Sequence, residues 1–192
     1  MVRTNPERRQ ALLDASIEVL ARDGARGLTF RAVDKEAGVP TGTASNYFAN
    51  RDDLLVQVGH RYYERLLPAD EVMAQSHGPQ TRESMIGLMT EVVDRLTRFR
   101  AGYLALLELR LEATRRPELQ ALLTERVRAD LDFNIANYRL SGLPGGEDAV
   151  VLLYLALNWL VLDRLTLPGI VDEHRAAELV RAAVERVIPD DA

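Results

Sequence analysis

The stretch Leu28–Leu55, LTFRAVDKEAGVPTGTASNYFANRDDLL, constrains the fold more tightly than any other part of the chain. Thr29 suits an N-cap, because its hydroxyl can accept from the free amides of a helix over Phe30–Ala37. Gly38 ends that helix, since glycine tolerates the left-handed backbone a C-terminal turn needs. Val39 fills the turn from the core side. Pro40 resists continuing the first helix and suits entry to a second, expected over Thr41–Phe48. Two short helices joined by a tight turn make a helix-turn-helix, and the second helix of such a unit fits a DNA major groove.

The side chains of that second helix match this use. Gly42 lets the backbone approach a duplex closely. Thr41, Thr43, Ser45 and Asn46 offer short donors and acceptors for base edges or phosphates. Thr29 presents a helix N-terminus that can face a phosphate. Net charge is −5, which by itself opposes a nucleic-acid partner. The distribution reverses that: residues 1–51 carry +2 and the remainder −7. Phosphate affinity follows local charge rather than the total.

Elsewhere the chain reads as helical throughout. Strand alternation and hairpin turns are absent. Helices are expected from Pro6 to a stop at Gly24, from an Asn50 cap to about Leu66, and over Thr81–Phe99, Gly102–Arg115, Pro117–Leu140, Glu147–Leu167 and Asp172–Val187. Pro68–Gln80 reads as a linker and Ser141–Gly146 as a break. The fold class is therefore all-α, with about nine helices. An N-terminal three-helix bundle over residues 1–50 would hold the helix-turn-helix, and residues 51–192 a second helical domain.

The chain has no cysteine, hence no disulfide framework and no thiolate metal site. Its three histidines, His60, His77 and His174, are far apart, and no nucleophile elbow, P-loop or dinucleotide motif occurs. No catalytic residue, cofactor or metal is expected. The N-terminus lacks the apolar region of a signal peptide. The run Ala149–Leu162 is short for a membrane span, so a cytoplasmic, membrane-free protein is expected. Glu108, Arg110 and Glu112 could be drawn as an acid/base set, but their spacing suits an ion-paired helix stretch better.

The Leu28–Leu55 stretch also resembles the TetR family of bacterial repressors. Leu28, Thr29, Val33, Ala37, Gly38, Val39, Gly42, Thr43, Tyr47, Phe48, Asn50, Arg51 and Leu54 match the family pattern in order. Three positions depart: Asp34 and Ala44, where the family prefers alanine and leucine, and Ser45, where it prefers tyrosine. The resemblance implies that Tyr47 and Arg51 contact phosphates and that Arg31 reaches a base or phosphate. It further implies a repressor with an effector pocket, released from an operator by a small apolar or amphipathic ligand.

Polar groups scattered among apolar ones suit such a pocket. The candidates are Met89, Phe99, Tyr103, Leu107, Arg110, Phe133, Asn134, Tyr138, Asn158 and Trp159, with ordinary core packing as the alternative for each. The 147–167 helix is apolar on nearly every side and must be buried on every side. A second copy would supply the missing cover, making a homodimer through Leu155, Trp159, Leu160, Leu162, Leu179 and Ala183. Two rival readings are a ligand-independent DNA-binding protein and an all-helical enzyme on a borrowed fold.

Overall fold

The computed structural model describes residues 5–67, 78 and 80–189, so most of the expected linker lies outside the described residues. Among them are eight α-helices, one 3-10 turn and no strand. The helices are α1 (Pro6–Gly27), α2 (Phe30–Glu36), α3 (Arg51–Leu66), α4 (Arg82–Arg98), α5 (Arg100–Ala113), α6 (Pro117–Ser141), α7 (Gly146–Thr166) and α8 (Glu173–Val187). The chain divides into two compact units. One gathers the residues up to Leu67 with Phe99–Arg126; the other gathers those up to Arg98 and from Val127 onward.

In the first unit, α1 packs on α2, α3 and α5. Asn5 caps α1 by accepting from the Glu7 and Arg8 amides, and Pro6 opens it. The helical path breaks at Gly24 (φ 69°) as expected, and one further turn carries it to Gly27. Leu54, Leu55, Val58 and Tyr62 form the buried stripe of α3. They meet Leu12, Ile17, Leu20 and Leu28 from one side and Leu109 and Leu119 from the other. Gly59 lets α3 and α6 approach closely: a Cβ there would stand 3.0 Å from a methyl of Leu122. Phe99 stacks on Tyr62 with ring centroids 6.0 Å apart, and the Arg65 guanidinium covers the Phe99 ring at 4.4 Å.

In the second unit, α4, α7 and α8 pack on one another. Met85 and Ile86 of α4, Ala149 and Leu153 of α7, and Val184 of α8 make the centre, joined by Tyr138 from the C-terminal part of α6. The Tyr138 hydroxyl donates to the Pro144 carbonyl at 2.5 Å, and burial pushes its phenol above the ordinary value. It therefore remains a neutral donor that holds the Ser141–Gly146 break against α6.

The α7 helix carries two apolar faces. Ala149, Leu153, Leu157, Leu160, Val161 and Leu165 are buried. Leu152, Leu155 and Trp159 are more than half exposed, and Ala156 beside them is exposed too. The second set falls at the i, i+3, i+4, i+7 spacing of a single helix face. Of the residues expected at an interface, Leu160 is only 9% exposed within the chain. Leu162, Leu179 and Ala183 are partly buried. Leu155 and Trp159 stay on the open face. By length and composition α7 could also cross a membrane, and it is the only such helix among the described residues; its buried face packs within the chain.

Candidate functional site

The helix-turn-helix forms as the sequence indicates, except that its second element is shorter. Thr29 accepts from the Ala32 amide and caps α2. Asn50 accepts from the Asp53 amide. Asp53 in turn accepts from the Ala49 amide, so the start of α3 is tied from both directions. Between them the chain makes turns around a 3-10 segment, Ala44–Asn46, rather than an α-helix over Thr41–Phe48. The Thr43, Asn46 and Tyr47 amides each bond three residues back, and the Phe48 amide bonds four back to Ala44.

The Asp34 carboxylate is what organises this turn. Asp34 is 1% exposed. One carboxylate oxygen accepts from the Gly42 amide and the other from the Ala44 amide, each at 2.7 Å. These are the free amides at the start of a helical turn, the groups a capping side chain normally satisfies. Here the cap comes from the preceding helix. Gly42 has φ +93°, so only glycine enters this grip without strain. Alanine at position 44, fully buried, leaves room for the carboxylate beside it. The two departures from the family pattern, Asp34 and Ala44, are thus one interaction.

Thr29, Arg31, Thr41, Gly42, Ser45 and Asn46 are all exposed around this turn; Thr43 and Tyr47 are partly buried. The Thr43 hydroxyl donates to the Pro40 carbonyl and the Ser45 hydroxyl to the Gly42 carbonyl. Each keeps its acceptor capacity for an outside donor. The Tyr47 ring packs on the core of the first unit.

Arg51 is engaged within the first unit. Its Nη2 donates to the Ala25 carbonyl at 2.5 Å and its Nε to the Leu28 carbonyl at 3.3 Å. Its Nη1 stands 3.5 Å from the Glu112 carboxylate. Arg51 thus braces the first unit, with its side chain still about a third exposed (37%). The cause is local: the Ala25 and Leu28 carbonyls at the end of α1 lie within its reach, Ala25 also accepting from the Leu28 amide, and Glu112 of α5 stands beside them. Arg115 and Arg116 also pair with Glu112. Glu108 accepts from the Ala25 amide at 2.8 Å. Both carboxylates therefore work in the packing of α1 on α5, which leaves no acid/base pair there.

Burial pushes the Glu112 carboxyl up, but the Arg115 hydrogen bond and the charges of Arg116, Arg115 and Arg51 outweigh it. The net shift is below the ordinary value of 4.5. A depressed carboxyl pKa stabilises the fold above the unfolded value, and that contribution drains as pH falls through the folded value. Replacing Glu112 with Gln should therefore lower the melting temperature at neutral pH, by a stability loss of roughly 1–3 kcal/mol. The gap between the two proteins should close as pH drops below 4.5. Melting curves from neutral to acid pH check this; a constant gap would contradict it.

The second unit contains a cavity of about 220 Å³ between α4, the C-terminal part of α6 and α7. It exceeds the roughly 150 Å³ engineered void that holds benzene. Met85, Leu88, Met89, Val92, Leu153 and Leu157 give most of its apolar wall. Of the expected pocket residues, Met89, Phe133, Asn134, Tyr138 and Asn158 line it. Phe99, Tyr103, Leu107 and Arg110 do not, because they belong to the first unit. Trp159 does not either; it sits on the exposed face of α7. Glu91, Arg95, Asn137 and Tyr154 also line the cavity and were not expected. Glu91 and Arg95 pair with each other at 3.0 Å, at i, i+4 along α4.

A helix-turn-helix in one unit and an apolar cavity in a second helical unit are the layout of a helical transcriptional regulator. Residues 12–58 match the family described as bacterial regulatory proteins, tetR family, and residues 80–190 the tetracyclin repressor-like C-terminal domain. The chain belongs to the TetR family of bacterial regulatory proteins.

It is similar to the HTH-type transcriptional regulator BetI of Agrobacterium fabrum, 31% identical over 66% of this chain and 62% of the relative. It is also similar to the HTH-type transcriptional repressor KstR of Mycolicibacterium smegmatis, 31% identical over 46% of this chain and 45% of the relative. The chain thus spans about half to three-fifths of these curated relatives. Among solved structures, the multidrug binding protein EbrR in complex with imidazole is 29% identical with a TM-score of 0.65, covering 98% of this chain and 93% of that one. A transcriptional regulator from Rhodococcus sp. Rha1 shares the fold, with a TM-score of 0.74 at 18% identity over 93% of this chain and 95% of that one.

Proposed function

We propose that this chain represses transcription as a homodimer that binds a roughly palindromic operator and is released by a small apolar or amphipathic ligand. The observation that carries the reading is the exposed polar row Thr41, Ser45 and Asn46 on a turn fixed from behind by Asp34. Arg31 and Thr29 flank that row, with Tyr47 packed beside it, and supply phosphate or base contacts; Arg51 supports the row through the fold. Residues 1–50 carry the DNA-binding function and residues 51–192 the sensing and pairing functions. The exposed Leu152, Leu155 and Trp159 face of α7 pairs with its copy, because two half-sites one helical turn apart need two recognition turns at fixed spacing. The cavity of the second unit takes the ligand, a reading supported by the small-molecule complex of EbrR. The protein acts in the cytoplasm, away from membranes, and needs no cofactor.

Selection of bound genomic fragments tests the DNA reading. An enriched, roughly palindromic motif is expected. Replacing Asn46 with Ala should change which bases are preferred, by about 1–3 kcal/mol at the affected position. Replacing Arg31 with Ala should weaken binding and lower its salt dependence if that residue neutralises a phosphate. A selection that returns no motif would rule out a specific repressor.

A further inference from the structure

The exposed turn of the first unit is anchored at its far end as well as at its start, and the second anchor comes from α1. Arg9 lies one helical turn before the buried Leu12 and Leu13, so its stem follows the packed face of α1 and is itself half-buried. Its Nη1 donates to the Tyr47 carbonyl at 3.4 Å, and its Nη2 donates to the Gln57 side-chain oxygen. The guanidinium carbon lies 5.5 Å from the centre of the Phe48 ring, within the range of a cation–π contact. Tyr47 closes the 3-10 segment, where backbone carbonyls run out of helical partners. Gln57 passes the contact on. Its amide donates to one Asp53 carboxylate oxygen at 2.6 Å, and the other oxygen accepts from the Ala49 amide at 2.8 Å. Tyr47, Phe48 and Ala49 are thus held in succession, immediately after Ser45 and Asn46.

Two side chains from other elements therefore grip the turn: Asp34 at Gly42 and Ala44, and Arg9 at Tyr47 and Phe48. Base readout needs donors and acceptors held to within about half an ångström, whereas attraction to phosphate follows charge and carries no sequence information. An arginine engaged inside the chain serves the first requirement. We propose that Arg9 is a positioning residue for base readout: it fixes the end of the turn that carries Ser45 and Asn46, and it contributes to operator specificity rather than to phosphate attraction. This rests on the reading of the turn as the DNA-reading surface.

Two charge-conserving variants of the full chain test it. Arg9→Lys keeps the cation but loses the flat fork that reaches both the Tyr47 carbonyl and Gln57. Gln57→Leu leaves Arg9 in place and cuts its link to Asp53. Binding to the selected operator should fall about tenfold in each, the size of one hydrogen bond to a charged group. Binding to non-operator DNA should stay within about twofold, because it follows charge. Amide exchange at Ala49 should accelerate in both variants. A direct phosphate contact by Arg9 predicts another pattern: both variants bind the operator as the unmodified protein does, and Arg9→Met lowers affinity for all DNA together with its salt dependence. That pattern, or an equal loss on operator and non-operator DNA in Arg9→Lys, would overturn the inference. If one of the two variants fails to fold, the other decides. An unmodified protein for which selection returns no operator removes the DNA-reading proposal itself. An operator bound equally by the unmodified protein and by both variants removes only the role of Arg9.

Discussion

Replacing both Leu155 and Trp159 with Glu is expected to convert the protein to a folded monomer that no longer holds its operator at working concentrations. Both side chains are more than half exposed on one face of α7, so their loss leaves the subunit's own core intact. In the dimer they would be buried against their copies, and four carboxylates in a dry interface cost several kcal/mol if unpaired. A two-site complex owes much of its affinity to the second contact being intramolecular. Loss of pairing should therefore weaken operator binding by about 10²–10⁴-fold. Light scattering at micromolar concentration and a binding titration check both parts. A control separates the two faces of the helix: Leu160→Glu should instead lower the melting temperature of the subunit itself, because Leu160 is buried in the chain. A monomeric unmodified protein with full operator affinity would rule out the α7 interface.

Much of the first unit is legible from the chain because its signals are local. Thr29 and Asn50 announce helix starts by residue type, and both cap as expected. Gly24 and Gly38 mark breaks by backbone freedom alone. The candidate pocket is legible only in part, for a different reason. Periodicity shows that a helix buries a face, but not which neighbour covers it. Phe99, Tyr103 and Leu107 look as suitable for a cavity as Phe133 or Tyr138. The former belong to the first unit and the latter to the second, and no pattern in the sequence distinguishes the two outcomes. Arg51 and Arg95 show the same limit for charge. Sequence position does not name their partners: carbonyls from α1 and a carboxylate from α5 engage the first, and Glu91 pairs with the second.

Asp34 is the residue whose loss should damage DNA reading most for the least change in surface. It is itself buried, yet it accepts from both the Gly42 and Ala44 amides. Asp34→Ala removes both bonds and leaves the buried Ala44 amide with no acceptor, since a methyl group offers none. Hydrogen bonds to a charged group contribute about 1.5–3 kcal/mol each. The turn then loses roughly 3–6 kcal/mol, comparable with the whole stability of a local structural element. The expected result is a protein that still folds through α1, α3 and α5 but whose 41–47 segment opens. Amide exchange at Gly42 and Ala44 should accelerate about 10²-fold or more, and operator affinity should fall for every sequence alike. That uniform loss distinguishes positioning from readout, because Asn46→Ala should redistribute base preference and leave exchange at Ala44 unchanged. Asp34→Asn gives the intermediate case: its carbonyl oxygen can keep one amide, while its own NH₂ opposes the other. The predicted order of affinity is therefore Asp, then Asn, then Ala. If Asp34→Ala binds its operator as the unmodified protein does, the turn is held by its own 3-10 hydrogen bonds and the buried carboxylate is not what positions the reading surface.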